Sequence, residues 1–137
     1  MKPVLLDTGV IVALIDRRER YHAQCATLVE RLERPMVTCE AVIAESCYLL
    51  RALPAGVGTV MENIERGLVQ IPFQLSQSAA PVRAMLKKYR DLPASLADAC
   101  LIHLADLFDT GDILTLDRDF TTYRWRTMHP FRLLLEI

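Results

Sequence analysis

The chain has 137 residues, enough for a single domain over 1–137 and too few for two. Its hydrophobic share of 52% can build a core without disulfide staples and leaves a little apolar surface for a partner. Sixteen basic against 17 acidic residues give a net charge of −1, which excludes binding to nucleic acid by bulk charge and leaves only local patches for it.

In chain order, Val4 to Leu6 is a short apolar run closed by Asp7-Thr8-Gly9, a buried strand turning into a helix over Val10 to Ile15. Tyr21 to Leu32 carries Cys25, Leu28, Val29 and Leu32 at helical spacing, and Pro35 ends it. Met36 to Thr38 is a second strand. Glu40 to Leu53 reads as a long helix stopped by Pro54 and Gly56, and Thr59 to Leu68 as another. Val69 to Phe73 is a third strand. Pro81 to Tyr89 is the next helix, with Ser78 as its cap, and Pro93-Ala94-Ser95 opens a helix to about Phe108. Ile113 to Leu116 and Arg132 to Ile137 are the last strands. Short apolar strands alternating with helices predict an α/β fold, a mainly parallel sheet covered on both faces.

The cysteines, Cys25, Cys39, Cys47 and Cys100, form no C-x-x-C pair, and His22, His103 and His129 match no zinc-ligand spacing. Scattered thiols suit a reducing compartment. The N-terminal apolar run breaks at Asp7, too early for a signal peptide or a membrane span, so a cytoplasmic protein is expected.

Four acids stand out. On a helix, Glu45 has Ala41, Val42, Tyr48, Leu49 and Ala52 as neighbours, so it is expected to point where core residues point. An ionised carboxylate there needs a metal or a paired Arg. Asp98 sits among Ala94, Ser95, Leu101, Ile102 and Ala105, although capping of a first turn also accounts for it. Asp7 and Asp117 each close a strand, where capping or a turn is a sufficient reason for one Asp. Asp119 is either an auxiliary ligand or a solvated turn residue. Brought to one rim beyond the strand ends, the four would repel without a cation. All-oxygen ligands select Mg²⁺ or Mn²⁺, and phosphodiester hydrolysis is the chemistry that most needs such an ion.

Val4-Leu5-Leu6-Asp7-Thr8, Ala44-Glu45, Ser95-Leu96-Ala97-Asp98-Ala99 and Ile113-Leu114-Thr115-Leu116-Asp117-Arg118-Asp119-Phe120 together resemble the motifs of PIN-domain nucleases, in order, spacing and total length. Small members of this size are often VapC-like toxins of toxin–antitoxin pairs. The resemblance implies a three-layer α/β/α fold and Mg²⁺- or Mn²⁺-dependent endoribonuclease activity on structured RNA such as tRNA or rRNA. It also implies a homodimer and a cognate antitoxin. Asp7, Glu45, Asp98 and Asp117 carry over as the acidic site, with Thr8 and Thr115 as hydroxyls that orient ligands or water. Gly9 departs from the pattern, since many relatives carry Ser or Asn there.

Other readings fit less well. A phosphoaspartyl hydrolase of the haloacid dehalogenase type wants a second Asp at Gly9, and a receiver domain wants a Lys near the last strands, where Lys2, Lys87 and Lys88 do not lie. The alternative of another class is a non-catalytic PIN-like RNA-binding or scaffold protein, against which the presence of all four acids counts. Arg17-Arg18-Arg20 and Lys87-Lys88-Arg90 read as phosphate-holding clusters or solvated helix ends. The helix from Glu40 carries a second apolar face at Ile43, Cys47 and Leu50, which suits burial or a dimer contact.

Overall fold

The computed structural model describes residues 1–137. Five short parallel strands form one sheet: β1 (Val4–Leu6), β2 (Met36–Val37), β3 (Val69–Gln70), β4 (Asp112–Leu114) and, last in the chain, β7 (Arg132–Leu133). Their order is β3-β2-β1-β4-β7, with Leu5 opposite Val37 on one side and Ile113 on the other. A separate antiparallel hairpin pairs β5 (Arg124–Trp125) with β6 (His129–Pro130). The chain leaves β1 toward β2 and β3, then crosses back to place β4 on the other side of β1. In an open parallel sheet that reversal creates a crevice beyond the carboxyl ends of the two strands.

Six helices cover the sheet: α1 (Thr8–Ile15), α2 (His22–Arg31), α3 (Glu40–Leu49), α4 (Gly56–Glu65), α5 (Leu75–Lys88) and α6 (Leu96–Phe108). The arrangement is the expected α/β layering, with α1 packed on α2, α3 and α4, and α6 packed on α5 and β1. All three β1 residues are fully buried, as is β4 from Ile113 to Leu114. Burying each such aliphatic side chain is worth about 1.5–3 kcal/mol, which makes the centre of the sheet a fixed frame for the residues at its strand ends.

Several boundaries differ from the sequence reading. α3 stops at Leu49, and Leu50 to Leu53 form tight turns, with the Leu53 N–H donating to the Leu50 carbonyl at 3.0 Å. α4 starts earlier, at Gly56, where a Cβ would come within 2.9 Å of the Leu50 carbonyl oxygen, so the glycine continues the chain rather than only stopping it. α5 also starts earlier, at Leu75, with Ser78 buried inside it instead of capping it and Pro81 within the helix. The N–H that Pro81 lacks would have bonded to Gln77, an exposed residue, so the loss falls near solvent. The strands at 69, 113 and 132 are shorter than expected, and the hairpin has no counterpart in the sequence reading.

Candidate active site

The carboxyl ends of β1 and β4 deliver two acids side by side. Asp7 caps α1: its Oδ1 accepts the Thr8 N–H at 2.8 Å, and its Oδ2 accepts the Thr115 hydroxyl at 2.6 Å. The same Thr115 oxygen accepts the Asp117 N–H at 3.0 Å. Asp117 then caps a short 3₁₀ turn (Arg118–Thr121) through the Asp119 N–H, 2.9 Å from its Oδ1.

The third acid comes from the start of α6. Ser95 and Asp98 form a reciprocal capping box, with the Asp98 N–H donating to Ser95 Oγ at 3.0 Å and the Ser95 N–H to Asp98 Oδ2 at 3.2 Å. The Tyr123 hydroxyl donates to the same Oδ2 at 3.1 Å. Capping and clustering are therefore not alternatives. Each cap fixes the orientation of a carboxylate, and Asp98 Oδ1 and Asp117 Oδ2 are left with no protein donor.

One carboxylate oxygen from each of Asp7, Asp98 and Asp117 lies within 4.8 Å of the others. Asp7 and Asp98 are 7% and 9% exposed. No Lys, Arg or His side chain pairs with any of the three, although basic residues elsewhere hold Asp16, Asp109 and Asp112. Burial pushes Asp7 up to about 6, against the pull of its bonds from Thr115 and Thr8, and the charges of Asp98 and Asp117 add to the rise. Burial also raises Asp98, opposed by the Ser95 and Tyr123 bonds and helped by the Asp117 charge. Oriented oxygens, two of them unbonded, with no protein cation to neutralise them, are chemically suited to a hard divalent ion.

The triad opens into a cavity of about 390 Å³ whose wall includes Thr8, Gly9, Glu45 and Leu49. Glu45 reaches this cavity, with Oε2 3.3 Å from the Thr8 hydroxyl that donates to it, but it is not among the three clustered acids. The expectation that it points into the core is corrected: Glu45 is exposed. α3 is apolar nearly all round, and it is Val42, Ile43, Ser46 and Leu50 that turn inward. Ser46 survives there because its hydroxyl donates to the Val42 carbonyl at 2.8 Å. Ile43 and Leu50 are thus core residues, and Cys47 is half-buried, so this face is not a free contact surface. Asp119 is exposed and outside the cavity, where only its N–H serves the site.

Sequence reading missed Tyr123, which is fully buried in an edge-to-face cluster with Tyr89 and Phe120. The available signal was chemical: a buried tyrosine hydroxyl must find a partner, and an acid was already sought nearby. Of the basic clusters, Arg18 pairs with Asp16, and the Lys88 ammonium lies over the Tyr89 ring at 5.2 Å.

Comparison with known proteins matches residues 4–125 to the family model of the PIN domain. Ribonuclease VapC26 of Mycobacterium tuberculosis (strain ATCC 25618 / H37Rv) is 29% identical over 118 residues, covering 84% of this chain and 87% of that protein. The crystal structure of Mycobacterium tuberculosis VapC20, a sarcin-ricin loop cleaving toxin, superposes with a TM-score of 0.81. That match has 16% identity and covers 93% of this chain and 99% of the other, a likeness of fold.

Proposed function

The chain belongs to the PIN domain family, and from that premise we propose that it is a metal-dependent endoribonuclease, the toxin of a toxin–antitoxin pair, cutting structured RNA such as tRNA or rRNA. One observation carries the reading: three carboxylates meet within 4.8 Å at the crevice beyond β1 and β4 with no protein cation among them. The naming of one relative as a ribonuclease and of another as a toxin that cleaves the sarcin-ricin loop supports the substrate class.

In this reading Asp7 and Asp98 share a Mg²⁺ or Mn²⁺ ion, and Asp117 and Glu45 join directly or through water. When bound, the ion supplies a Lewis acid for charge on a phosphoryl oxygen and lowers the pKa of a bound water. The chain's own groups set the geometry. Thr115 holds Asp7 and the backbone of Asp117, while Tyr123 and Ser95 hold Asp98, so the carboxylates need little rearrangement to receive a cation. Thr8 ties Glu45 to the mouth of the cavity, the one acid of the four that solvent reaches freely. Asp119 acts through its N–H on Asp117.

A second copy of the chain and a cognate antitoxin belong to the same reading. An apolar cleft of about 220 Å³ between α1, α2 and β3, lined by residues such as Leu14, Ile15, Val29 and Leu68, suits an antitoxin segment. No helix is long and apolar enough to cross a membrane, and a cytoplasmic setting is part of the proposal. The test is to incubate the purified chain with tRNA and rRNA fragments in Mg²⁺, Mn²⁺ or EDTA. Cleavage is expected only with metal and is lost in Asp7→Asn; undiminished cutting in EDTA or by the variant overturns the assignment. A monomer by light scattering at high concentration rejects the dimer.

A further inference from the structure

α3 leaves two large side chains largely exposed. Tyr48 is 62% and Leu49 52% exposed, three and four residues after Glu45 and therefore on its face of the helix. Glu45 and Leu49 both line the acidic cavity, and Tyr48 shares their face of α3 without lining the cavity itself. The Arg51 guanidinium lies 3.9 Å from the Tyr48 ring centroid, and its Nη1 donates to the Tyr48 carbonyl at 2.7 Å. No acid pairs with Arg51. A flat ring and a flat, unpaired cation are thus layered together in solvent, beside a cluster of negative charge.

Resting on the ribonuclease reading, we propose that Tyr48 and Arg51 form a stacking platform for an unpaired nucleobase of the RNA strand next to the phosphate that is cut. Aromatic rings and guanidinium planes both stack on bases without requiring a particular base. The face is continuous with the acidic cavity, so a strand whose phosphate enters the cavity passes over it. Without a cation the three acids repel a phosphate, and Arg51, in the turn after α3 with no acid paired to it, supplies positive charge, which is the complementarity an RNA strand needs and a purely apolar protein contact does not. A base already paired in a duplex cannot leave its stack cheaply, so the platform selects loops or single-stranded segments.

The test uses an RNA hairpin whose loop carries a single 2-aminopurine, bound to the full chain carrying Asp7→Asn so that it is not cut. Tyr48→Ala is expected to weaken binding about tenfold and to remove the fluorescence quenching that stacking produces, while Tyr48→Phe keeps both. Arg51→Met weakens binding and flattens its salt dependence. With Asp7 intact, Tyr48→Ala raises KM more than it lowers kcat. Unchanged affinity and quenching in Tyr48→Ala overturn the proposal. So does a change of oligomeric mass in Tyr48→Ala with RNA binding per chain unchanged, which makes this face a contact between copies. Quenching that depends on Tyr48, together with an Asp7-intact protein that cuts no RNA in Mg²⁺ or Mn²⁺, keeps the platform and rejects the ribonuclease reading, so the two failures are told apart.

Discussion

The Thr115 hydroxyl donates to Asp7 Oδ2 at 2.6 Å across a sequence separation of 108 residues, and the same oxygen accepts the Asp117 N–H at 3.0 Å. One buried side chain therefore fixes two acids that follow the carboxyl ends of neighbouring strands. Thr115→Val keeps the shape and removes both bonds. Stability is expected to fall by about 1–3 kcal/mol in urea, because a buried carboxylate oxygen and a backbone N–H lose their partner. Mn²⁺ affinity, read by calorimetric titration, is expected to fall as well. A variant with unchanged stability and unchanged Mn²⁺ affinity shows that the hydroxyl positions nothing.

Asp7 also gives the metal-free protein a pH dependence. Its folded-state pKa, about 6, lies above the usual 3.8, so the folded form holds the proton more tightly than the unfolded one. The contribution is fully present below 3.8 and is lost as pH rises through about 6, an interval worth roughly 3 kcal/mol. Urea unfolding in EDTA is expected to show stability falling between about pH 4 and 6 from this source, and Asp7→Asn to remove that slope. Asp112 works in the opposite sense and in another window: its bonds from Arg132 and Arg34 lower its pKa, so it favours the fold above its usual range and is lost on acidification below it. A wild-type slope that survives in Asp7→Asn assigns the effect to another group.

Much of this site was legible because each acid carried a local reason as well as a functional one. Asp98 lies in line with Leu101, Ile102 and Ala105, all buried, and the structure buries it with them. Glu45 misled for the complementary reason. When a helix is apolar nearly all round, periodicity does not say which side meets the core, and a serine at 46 looks more exposed than a tyrosine at 48 until its hydroxyl finds the Val42 carbonyl. The hairpin was invisible because its strands are two residues each. Its tip, Arg126 and Thr127, adopts φ of 44 and 72 without the glycine or asparagine that usually announces such a turn. Tyr123 was missed because its role depends on a contact with Asp98, 25 residues away, and only the general need of a buried tyrosine hydroxyl for a partner pointed to it.

Gly9 occupies its place in α1 without a steric need for glycine. A Cβ there meets Leu116 side-chain atoms at 3.5–3.7 Å, ordinary packing distance. Gly9→Ala is expected to stabilise α1 by about 0.5–1 kcal/mol, since glycine loses more backbone freedom on entering a helix. RNA cleavage is expected to persist, because no side chain at this position is asked to hold a ligand. A lower melting temperature for Gly9→Ala means the backbone there needs glycine after all.

Gly111 is the contrasting case. A Cβ would fall 2.0 Å from Trp125 Nε1, so Gly111→Ala must displace the indole that rests on the start of β4. The cost is expected to be about 1–3 kcal/mol, as for other overpacked sites. Trp125 is the only tryptophan, so its emission reports the displacement directly and is expected to shift to the red. Wild-type emission together with wild-type stability contradicts the packing described.

As a cation site, Asp7, Asp98 and Asp117 carry charges that oppose one another until an ion arrives, and thermal melting of wild type and Asp98→Asn in EDTA and in Mn²⁺ tests that role most directly. Both bonds to Asp98 end on Oδ2, so the amide oxygen of Asn can accept the Ser95 N–H and the Tyr123 hydroxyl while one negative charge leaves the cluster. Asp98→Asn is expected to melt higher than wild type in EDTA. Mn²⁺ is expected to raise the wild-type melting temperature by mass action and to raise that of the variant much less. An Asp98→Asn protein that melts well below wild type in EDTA, with Mn²⁺ shifting both equally, would make Asp98 a helix cap and nothing more, and would contradict a cation site at these three acids.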